Sequence, residues 1–543
     1  MVLAQYKNFH DTLFLTFITL ATLMPRFGAI DNNSIRWFAV SLVSITYLFK
    51  HLRLGRSKLL ISKNHALYAG SLLFYLFLSI FISKNPIEGV ITIYKVICLI
   101  VTFFISYDIF KKKNSFITIC TVFSVSLFVE GLVILIQFSD SFKDLTGIAL
   151  NPNISSSSII IKLPFILYLI QKVKNKWYKI LIKMIEYMSI IGVVILGSRL
   201  GLISLFLIYL FYFSWYKNYR LTQAFSICVI ITFNFYINNL RTEGGLELNT
   251  IKIENLTKDE STNQRFNFYK KAVKLSFKKP LLGYGLGSWK YESLPYDKNN
   301  NRNILVPYYT HNDFLQIFFE LGVLGLLAYL IFLSTLFKRI LPLQSKFKGV
   351  LFITFLMFLL NSFLNFPLHR SQEIIPFILV SSMVFSINKK GDEAKSKLSP
   401  YMLIFVIIPV LVLSFLEHNS LKMQEKLISD YNLGTFSLAK NEINNINYII
   451  PNLSATGVPI STYISRYHFE NKEYNKSLSL LNHSSKANYK DLMTQELLLK
   501  NYIFLGKDIL AVELSKKLMS IYPKNSLYRE IYFSLTSENR TKD

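Results

Sequence analysis

Long apolar blocks separated by short polar loops run through most of the chain. They lie at about 11–29, 35–50, 65–83, 88–107, 115–138, 155–171, 178–197, 199–216, 221–238, 312–337, 349–366, 372–388 and 400–417. Most have about 17 to 25 residues, the length that a helix needs to cross a bilayer. The pattern predicts an all-α, polytopic membrane protein with about thirteen transmembrane helices. No small-residue cleavage site follows the first block, so we expect it to be retained as a span.

The lysines and arginines of the short loops predict an orientation. Cations cluster in every second loop, at 50–58, 111–113, 172–179, 217–220, 338–348 and 389–397, whereas the loops at 30–34, 84–87 and 139–154 contain only Lys84 and Lys143. Because cationic residues collect in cytoplasmic loops, the N-terminus is predicted to be cytoplasmic. The same asymmetry explains the net charge of +27, so no nucleic-acid partner is expected.

This orientation divides the chain into four regions. Residues 1–238 contain the first nine spans, 239–310 form a large loop outside the cytoplasm, 311–417 contain the last four spans, and 418–543 form a polar, helical region on the outer side. Within the large loop, Phe266, Tyr269, Val273 and Phe277 fall on one face of a lysine-rich helix. Such a helix is expected to lie in the membrane interface, with an ordinary solvated helix as the alternative.

The C-terminal region contains two similar segments. YHFENKEYNKSLSLL at 467–481 resembles YIFLGKDILAVELSKKL at 502–518, with an offset of about 35 residues. Tetratricopeptide repeats have a period of about 34 residues and pair two helices in each repeat. The similarity predicts a tetratricopeptide-like domain, and an unrelated pair of helical hairpins remains the alternative.

Four polar groups converge on the predicted outer face, although the topology rests on loop charges alone. They are Asn151–Pro152–Asn153 with the serines that follow, Gly197–Ser198–Arg199–Leu200–Gly201, the long loop from Arg265 to His311, and Pro367–Leu368–His369–Arg370. Polar and charged residues at the ends of spans are rare and are often functional. Their convergence indicates a site at this face.

Arg199 and His311 are the candidates with the clearest chemistry. Arg199 lies between two apolar runs, where a guanidinium needs an anionic partner such as a phosphate or diphosphate. The alternative is an arginine at the end of a span that reaches to the interface. His311 ends the polar loop at the start of an apolar helix, and its imidazole could accept a proton from a hydroxyl or serve a structural purpose only.

Other chemistries find little support in the sequence. No HxxxH or HExxH spacing exists, so we expect no metal site. The three cysteines, Cys98, Cys120 and Cys228, lie in apolar blocks and are expected to be buried fillers. The glycines of Gly283–Tyr284–Gly285–Leu286–Gly287 lack the strand and the GK[ST] of a nucleotide loop, so a tight turn and no cofactor are predicted.

Several of these motifs together resemble a known family. GYGLGSW at 283–289, a polar spacer and HNDFLQIFFELGVLGLLAYL at 311–330 are similar to the signature of the O-antigen ligase and O-antigen polymerase superfamily of the bacterial inner membrane. GSRLG at 197–201, NPN at 151–153 and the run from Arg265 to Gly285 fit the same pattern in order and spacing. The resemblance covers roughly residues 10–417.

The resemblance implies a multi-pass glycosyltransferase of the GT-C-like class that needs no metal or cofactor. Its donor would be a glycan on undecaprenyl diphosphate at the periplasmic side, and its acceptor a hydroxyl of lipid A-core or another saccharide. His311 would be the general base, and Arg199 and Arg265 would bind the diphosphate. Asn312 would be structural, although its place beside His311 also makes it a candidate for substrate binding. Arg370 is a further substrate-binding candidate for which the resemblance implies no role.

The C-terminal domain leaves further functions open. Repeat domains bind peptides and proteins on concave surfaces, so a protein partner or a protein O-oligosaccharyltransferase acting on serine or threonine is an alternative. A polysaccharide polymerase of the same superfamily is another. A transporter or flippase is disfavoured, since no paired repeat of broken spans is found and the polar groups lie at one face. The clustering of Arg199, Arg265 and His311 disfavours a non-catalytic scaffold.

Overall fold

The computed structural model describes residues 2–112, 116–140, 145–215, 224, 226–228, 230–232, 260–293, 308–343, 345–387, 395–523 and 525–540. The predicted span at 221–238 lies largely outside the described residues, and the few described there are helical.

The described residues of the membrane part form a series of helices. They are α1 (Val2–Ala21), α2 (Asn33–Arg53), α3 (Lys63–Ile82), α4 (Pro86–Lys112), α5 (Phe116–Asp140), α6 (Pro152–Lys172), α7 (Lys176–Leu196), α8 (Arg199–Trp215), α9 (Glu260–Ser276), α10 (Trp289–Glu292), α11 (Asp313–Ile340), α12 (Ser345–Leu364), α13 (Ser371–Ser386) and α14 (Pro400–Leu433). A 3-10 turn at Pro367–His369 separates α12 from α13.

The predicted class is confirmed: the chain is an all-α, multi-pass membrane protein. Seven of the described helices, α3 to α6, α11, α12 and α14, are long and apolar enough to span a bilayer, and α1, α8 and α13 contain shorter apolar helices. The only described strands, β1 (Leu59–Ser62) and β2 (Lys395–Leu398), form one antiparallel pair with Leu59 opposite Leu398. The total of thirteen spans remains a prediction.

The helix α6 lies at the centre of the bundle. Of its most apolar stretch, 94% is buried inside the protein, and α6 packs against α5, α7, α8, α12 and α13. It contains Lys162, which forms an ion pair with Glu130 of α5 and also donates hydrogen bonds to Ser126 and Ser158. A fully buried ammonium group requires such partners, so this pair fixes how α5 and α6 face each other.

The interfacial helix that the sequence predicts corresponds to α9. Its residues Phe268, Ala272 and Leu275 pack on Trp289 and on Phe319 of α11. The face that contains Phe266, Val273 and Phe277 stays exposed, with 69% of Phe277 accessible. An exposed apolar stripe on a lysine-rich helix is the arrangement that an interfacial helix presents to lipid.

The C-terminal region continues directly from the last span. At 34 residues α14 is longer than a bilayer requires, and its end contributes Leu427 to the core of this region. The helices that follow are α15 (Lys440–Asn444), α16 (Ile460–Glu470), α17 (Tyr474–Ala487), α18 (Leu492–Phe504), α19 (Asp508–Ile521) and α20 (Ser526–Arg540). Phe469 and Phe504, which the sequence similarity aligned, lie in contact with ring centroids 5.4 Å apart. The tetratricopeptide assignment itself stays a prediction.

The glycine-rich segment forms a tight turn between α9 and α10. Gly283, Gly285 and Gly287 all have positive φ angles. A Cβ atom on Gly285 would lie 2.5 Å from the backbone nitrogen of Ser83, in the α3–α4 connection. The turn's Gly287 amide also donates to the Glu320 carboxylate of α11 at 3.0 Å. The turn therefore fastens the large loop to three membrane helices at once.

We predict that Gly285→Ala destabilises the protein by about 2 kcal/mol or more, because the new methyl group meets rigid backbone and the φ angle disfavours alanine. Thermal unfolding of the detergent-solubilised protein would measure the change. Gly70→Ala is the matched control, since no atom lies within 4 Å of the added Cβ there. Equal unfolding temperatures for the two variants would contradict this role of the turn.

Candidate functional site

His311 lies where the large loop enters α11. Asn312 caps that helix by accepting a hydrogen bond from the Leu315 amide at 3.0 Å, and it donates to the Phe363 carbonyl of α12 at 3.0 Å. Tyr269 of α9 donates to the His311 carbonyl at 2.8 Å. The φ angle of His311 is +58°, a left-handed conformation that these contacts hold in place. Contacts with α9, α11 and α12 therefore fix the backbone that carries the imidazole.

The surroundings of the ring keep it neutral. It stands edge-on to Phe366 at 4.9 Å and lies parallel to Phe268 at 6.4 Å. Burial lowers the pKa of His311 to about 4, and the nearby charges of Arg265 and Arg370 add to the effect. Its Nδ1 atom is buried and has no hydrogen-bond partner among the described residues. At neutral pH the ring is thus uncharged and able to accept a proton.

A polar cavity of about 320 Å³ opens beside His311. Its size is at the lower end of the range for ligand pockets, about 300 to 1,000 Å³. Side chains from α2, α4, α14 and the connections near α6, α11 and α13 line it; those with polar chemistry include Asp31, Lys95, Tyr308, His311, Arg370 and Glu417.

Arg370 lines this cavity and forms an ion pair with Asp31. Its Nη1 atom lies 3.1 Å from both carboxylate oxygens of Asp31. Burial by itself would raise the pKa of Asp31, but the charges of Arg370 and Arg36 outweigh it and hold that pKa below its usual value. The guanidinium plane also lies over Phe366, 5.2 Å from the ring centroid. The structure therefore brings Arg370 to His311, as a partly neutralised cation.

Arg265 approaches His311 from α9. Its Nη1 atom donates to the Leu364 carbonyl at 3.3 Å, and its charge is one cause of the lowered pKa of His311. It is not among the residues that line the polar cavity. Arg265 therefore lies near His311 but does not line the polar cavity.

Arg199 begins α8, in a turn that packs on the start of α6. The Ser198 hydroxyl donates to the Asn153 side chain at 2.9 Å, and a Cβ atom on Gly201 would touch Ser156. Asn151, which caps α6, lines the cavity, but Arg199 does not. The structure thus brings the GSRLG turn beside one wall of the site without placing Arg199 in the cavity.

The side chain of Asn312 is used to hold α11 and α12 together. Both ends of its amide are engaged, one in the cap of α11 and the other with α12. This geometry favours the structural interpretation of Asn312 over direct contact with a substrate.

Asp31, Lys95 and Glu417 are candidate site residues that our sequence analysis did not single out. Lys95 of α4 lies 3.4 Å from the Glu417 carboxylate of α14, which also accepts a hydrogen bond from Tyr94. Lys95 and Glu417 are charged residues inside or at the end of apolar blocks, and that rarity is the signal that could have identified them. Asp31 lies in a short polar loop and gives no such signal.

Comparison with known proteins locates a family domain around this site. The O-antigen ligase family model matches residues 187–330. This segment is similar to an O-antigen ligase domain. It contains Arg199, Arg265 and His311, and the resemblance found in the sequence is therefore confirmed.

Two relatives support the same superfamily. A candidate polysaccharide ligase of Rickettsia conorii is 34% identical over 93 residues, which are 16% of this chain and 23% of that protein. The ComP-specific O-oligosaccharyltransferase of Acinetobacter baylyi is 25% identical over 353 residues, or 60% of this chain and 62% of that protein. The matches therefore span less than two thirds of either relative.

We predict that the Arg370–Asp31 pair contributes about 1 kcal/mol of coupling at pH 7, since both side chains are partly exposed. A double-mutant cycle of Arg370→Gln and Asp31→Asn, followed by thermal unfolding, would measure it. Because the folded-state pKa of Asp31 is lowered, the coupling should be present above pH 4 and disappear as the pH falls through the folded-state value. Additive effects at pH 7 would contradict the pair, and Arg529→Gln on the exposed C-terminal surface is the control.

Proposed function

We propose that the protein is a membrane glycosyltransferase that moves a glycan from undecaprenyl diphosphate to an acceptor hydroxyl at the periplasmic face, in the manner of an O-antigen ligase. The observation that carries the proposal is the position of His311. It lies inside the segment that matches the family model, lines the polar cavity and has a buried ring nitrogen, Nδ1, without a hydrogen-bond partner among the described residues. A neutral imidazole at the wall of a cavity is suited to general-base catalysis.

In the proposed reaction, the imidazole of His311 accepts the proton of the acceptor hydroxyl. The hydroxyl oxygen then bonds to the anomeric carbon of the donor sugar, and the bond from that carbon to the diphosphate breaks. Undecaprenyl diphosphate leaves with the bonding electrons. Arg265, with Arg199 from the adjacent turn, would offset the charge that develops on the leaving group.

The electrostatics of His311 support this order of events. In the structure, burial and the charges of Arg265 and Arg370 lower its pKa. A diphosphate bound at Arg265 would offset that cation and so make the imidazole more basic when the donor is present. The base would then be strengthened only in the complex that can react.

The periplasmic location of the site is part of the proposal and rests on the loop charges. It is supported by the contact between two regions that the charges place on the same side. Lys490 of the C-terminal region lies 2.8 Å from Glu292 of the large loop. Both regions must therefore be on one face of the membrane, and the bacterial inner membrane is the location that this chemistry requires.

A protein O-oligosaccharyltransferase is the second candidate function. It is favoured by the similarity to the ComP-specific enzyme, which extends over 60% of this chain. The donor chemistry and the catalytic groups would be the same, and the acceptor would be a serine or threonine. A polymerase that extends its own glycan would differ in the acceptor alone.

We predict that His311→Ala lowers glycan transfer by about 10²- to 10⁴-fold, because the general base is lost. A deletion strain complemented with each variant would be compared by gel analysis of lipid-linked glycan and by glycoprotein blot. His483→Ala, an exposed histidine of the C-terminal region, is the matched control and should retain activity.

The blots also separate the candidate functions. Loss of lipid-attached polymer identifies a ligase, loss of chain length alone a polymerase, and loss of the glycoprotein signal a protein-directed enzyme. Normal glycosylation of lipid and protein in the His311→Ala strain, at normal membrane levels of the variant, would contradict the proposed function.

A further inference from the structure

The C-terminal region supplies part of the wall of the polar cavity. Ala455 lines that cavity, although it lies 144 residues after His311 in the sequence. It belongs to a tight loop at 451–459 in which the Ser454 amide donates to the Val458 carbonyl at 2.8 Å. The Ala455 amide donates to the side chain of Gln424 in α14 at 2.9 Å. The loop's backbone is thus satisfied internally and against α14, so its tip is held at the cavity.

A second set of contacts fixes this region against the membrane part. Glu292 forms ion pairs with Lys490 at 2.8 Å and with Lys84 at 3.2 Å. Asn85 of the α3–α4 connection and Asn452 of the loop donate hydrogen bonds to each other's side-chain oxygens, at 3.0 and 2.9 Å. These contacts involve elements other than α14, to which Gln424 belongs. The position of the loop relative to His311 is therefore determined by the fold.

The charges in the cavity are balanced before any ligand enters. Arg370 is paired with Asp31 at 3.1 Å, and Lys95 is paired with Glu417 at 3.4 Å. A diphosphate in this space would have to approach two carboxylates and displace both pairs. A neutral molecule rich in hydroxyl groups would instead donate hydrogen bonds to those carboxylates, which are strong acceptors.

Aromatic rings give the cavity a second property suited to a sugar. Tyr309 and Phe366 stack with their centroids 4.5 Å apart, and Tyr308 lies beside them. All three line the cavity. Flat apolar rings next to hydrogen-bonding carboxylates match a pyranose, which has an apolar C–H face and a polar edge of hydroxyl groups.

The apolar cavity next to this one offers a competing arrangement. It has a volume of about 520 Å³, is lined mainly by α3, α4, α11 and α13, and shares Lys95 with the polar cavity. A lipid chain there could direct its diphosphate to Lys95 and Arg370. In that arrangement the diphosphate would face the carboxylates of Asp31 and Glu417, which repel it. The proton that His311 removes belongs to the acceptor, so the acceptor has to occupy the cavity beside His311.

We propose that the polar cavity is the acceptor subsite, that it binds a saccharide, and that the loop at Ala455 is a specificity-determining wall contributed by the C-terminal region. The inference rests on the proposed function and goes beyond it in assigning the acceptor side of the site. A larger side chain at position 455 would occupy space that the acceptor needs and would leave the Arg265 side of His311 unchanged.

The test uses the full-length chain in proteoliposomes that contain the undecaprenyl-diphosphate-linked glycan and lipid A-core from one strain. Ala455→Trp should raise the KM for lipid A-core at least tenfold and leave the KM for the lipid-linked donor unchanged. Ala455→Leu should have a smaller effect in the same direction. Ala439→Trp, the same exchange at an exposed alanine of the C-terminal region, is the matched control. Thermal unfolding of each variant shows whether the fold is retained.

Three results would overturn the inference. The first is an unchanged KM for lipid A-core in a folded Ala455→Trp variant. The second is an equal rise in the KM for the donor, which would assign the cavity to the diphosphate. The third is a selective loss of transfer to periplasmic proteins, which would assign the cavity to a polypeptide acceptor. Failure of the wild-type chain to transfer from this donor to any acceptor would instead refute the proposed function itself.

Discussion

The capping of α11 by Asn312 determines where the large loop ends and the membrane helix begins. The same amide ties that point to α12, and Tyr269 ties it to α9. Without these bonds the left-handed backbone at His311 would relax and the imidazole would move from the wall of the cavity. The glycine turn at 283–287 reinforces the same junction from within the loop, since it packs closely on Ser83 and Glu88 and bonds to Glu320. Much of the site's geometry depends on this one boundary between a polar loop and an apolar helix.

The distribution of charge around the boundary separates two environments. On the cavity side each cation faces a carboxylate, as in the Arg370–Asp31 and Lys95–Glu417 pairs. On the α9 side, Arg265 donates to a backbone carbonyl, and among the described residues no carboxylate pairs with it, so its charge can attract an anion. A transferase that must hold an anionic donor and a neutral acceptor on two sides of one base needs such an asymmetry. The C-terminal region takes part because its loop closes the cavity and its lysine anchors it to Glu292.

The elements that depend on local pattern could be predicted from the sequence. Each predicted span within the described residues coincides with a helix, because apolar length and periodicity alone decide that a segment crosses a membrane. The sequence predicts His311 as a site residue because it shows a polar loop that ends at an apolar helix. The cavity was not, because Asp31 meets Arg370 across 339 residues and Lys95 meets Glu417 across 322. Such pairs follow from packing, and so does the placement of Ala455; no local pattern encodes them. For Arg199 the opposite holds. The sequence predicts it as a site residue because it is a charge between two apolar runs, but in the structure it does not line the cavity.

A structure of the full chain in lipid nanodiscs with undecaprenyl diphosphate bound would test the central claim most directly. The account predicts diphosphate density within hydrogen-bonding distance of Arg265, with the Arg370–Asp31 and Lys95–Glu417 pairs intact and the polar cavity beside His311 free for the acceptor. Diphosphate density inside the polar cavity, between Arg370 and Lys95 and with both ion pairs broken, would contradict it.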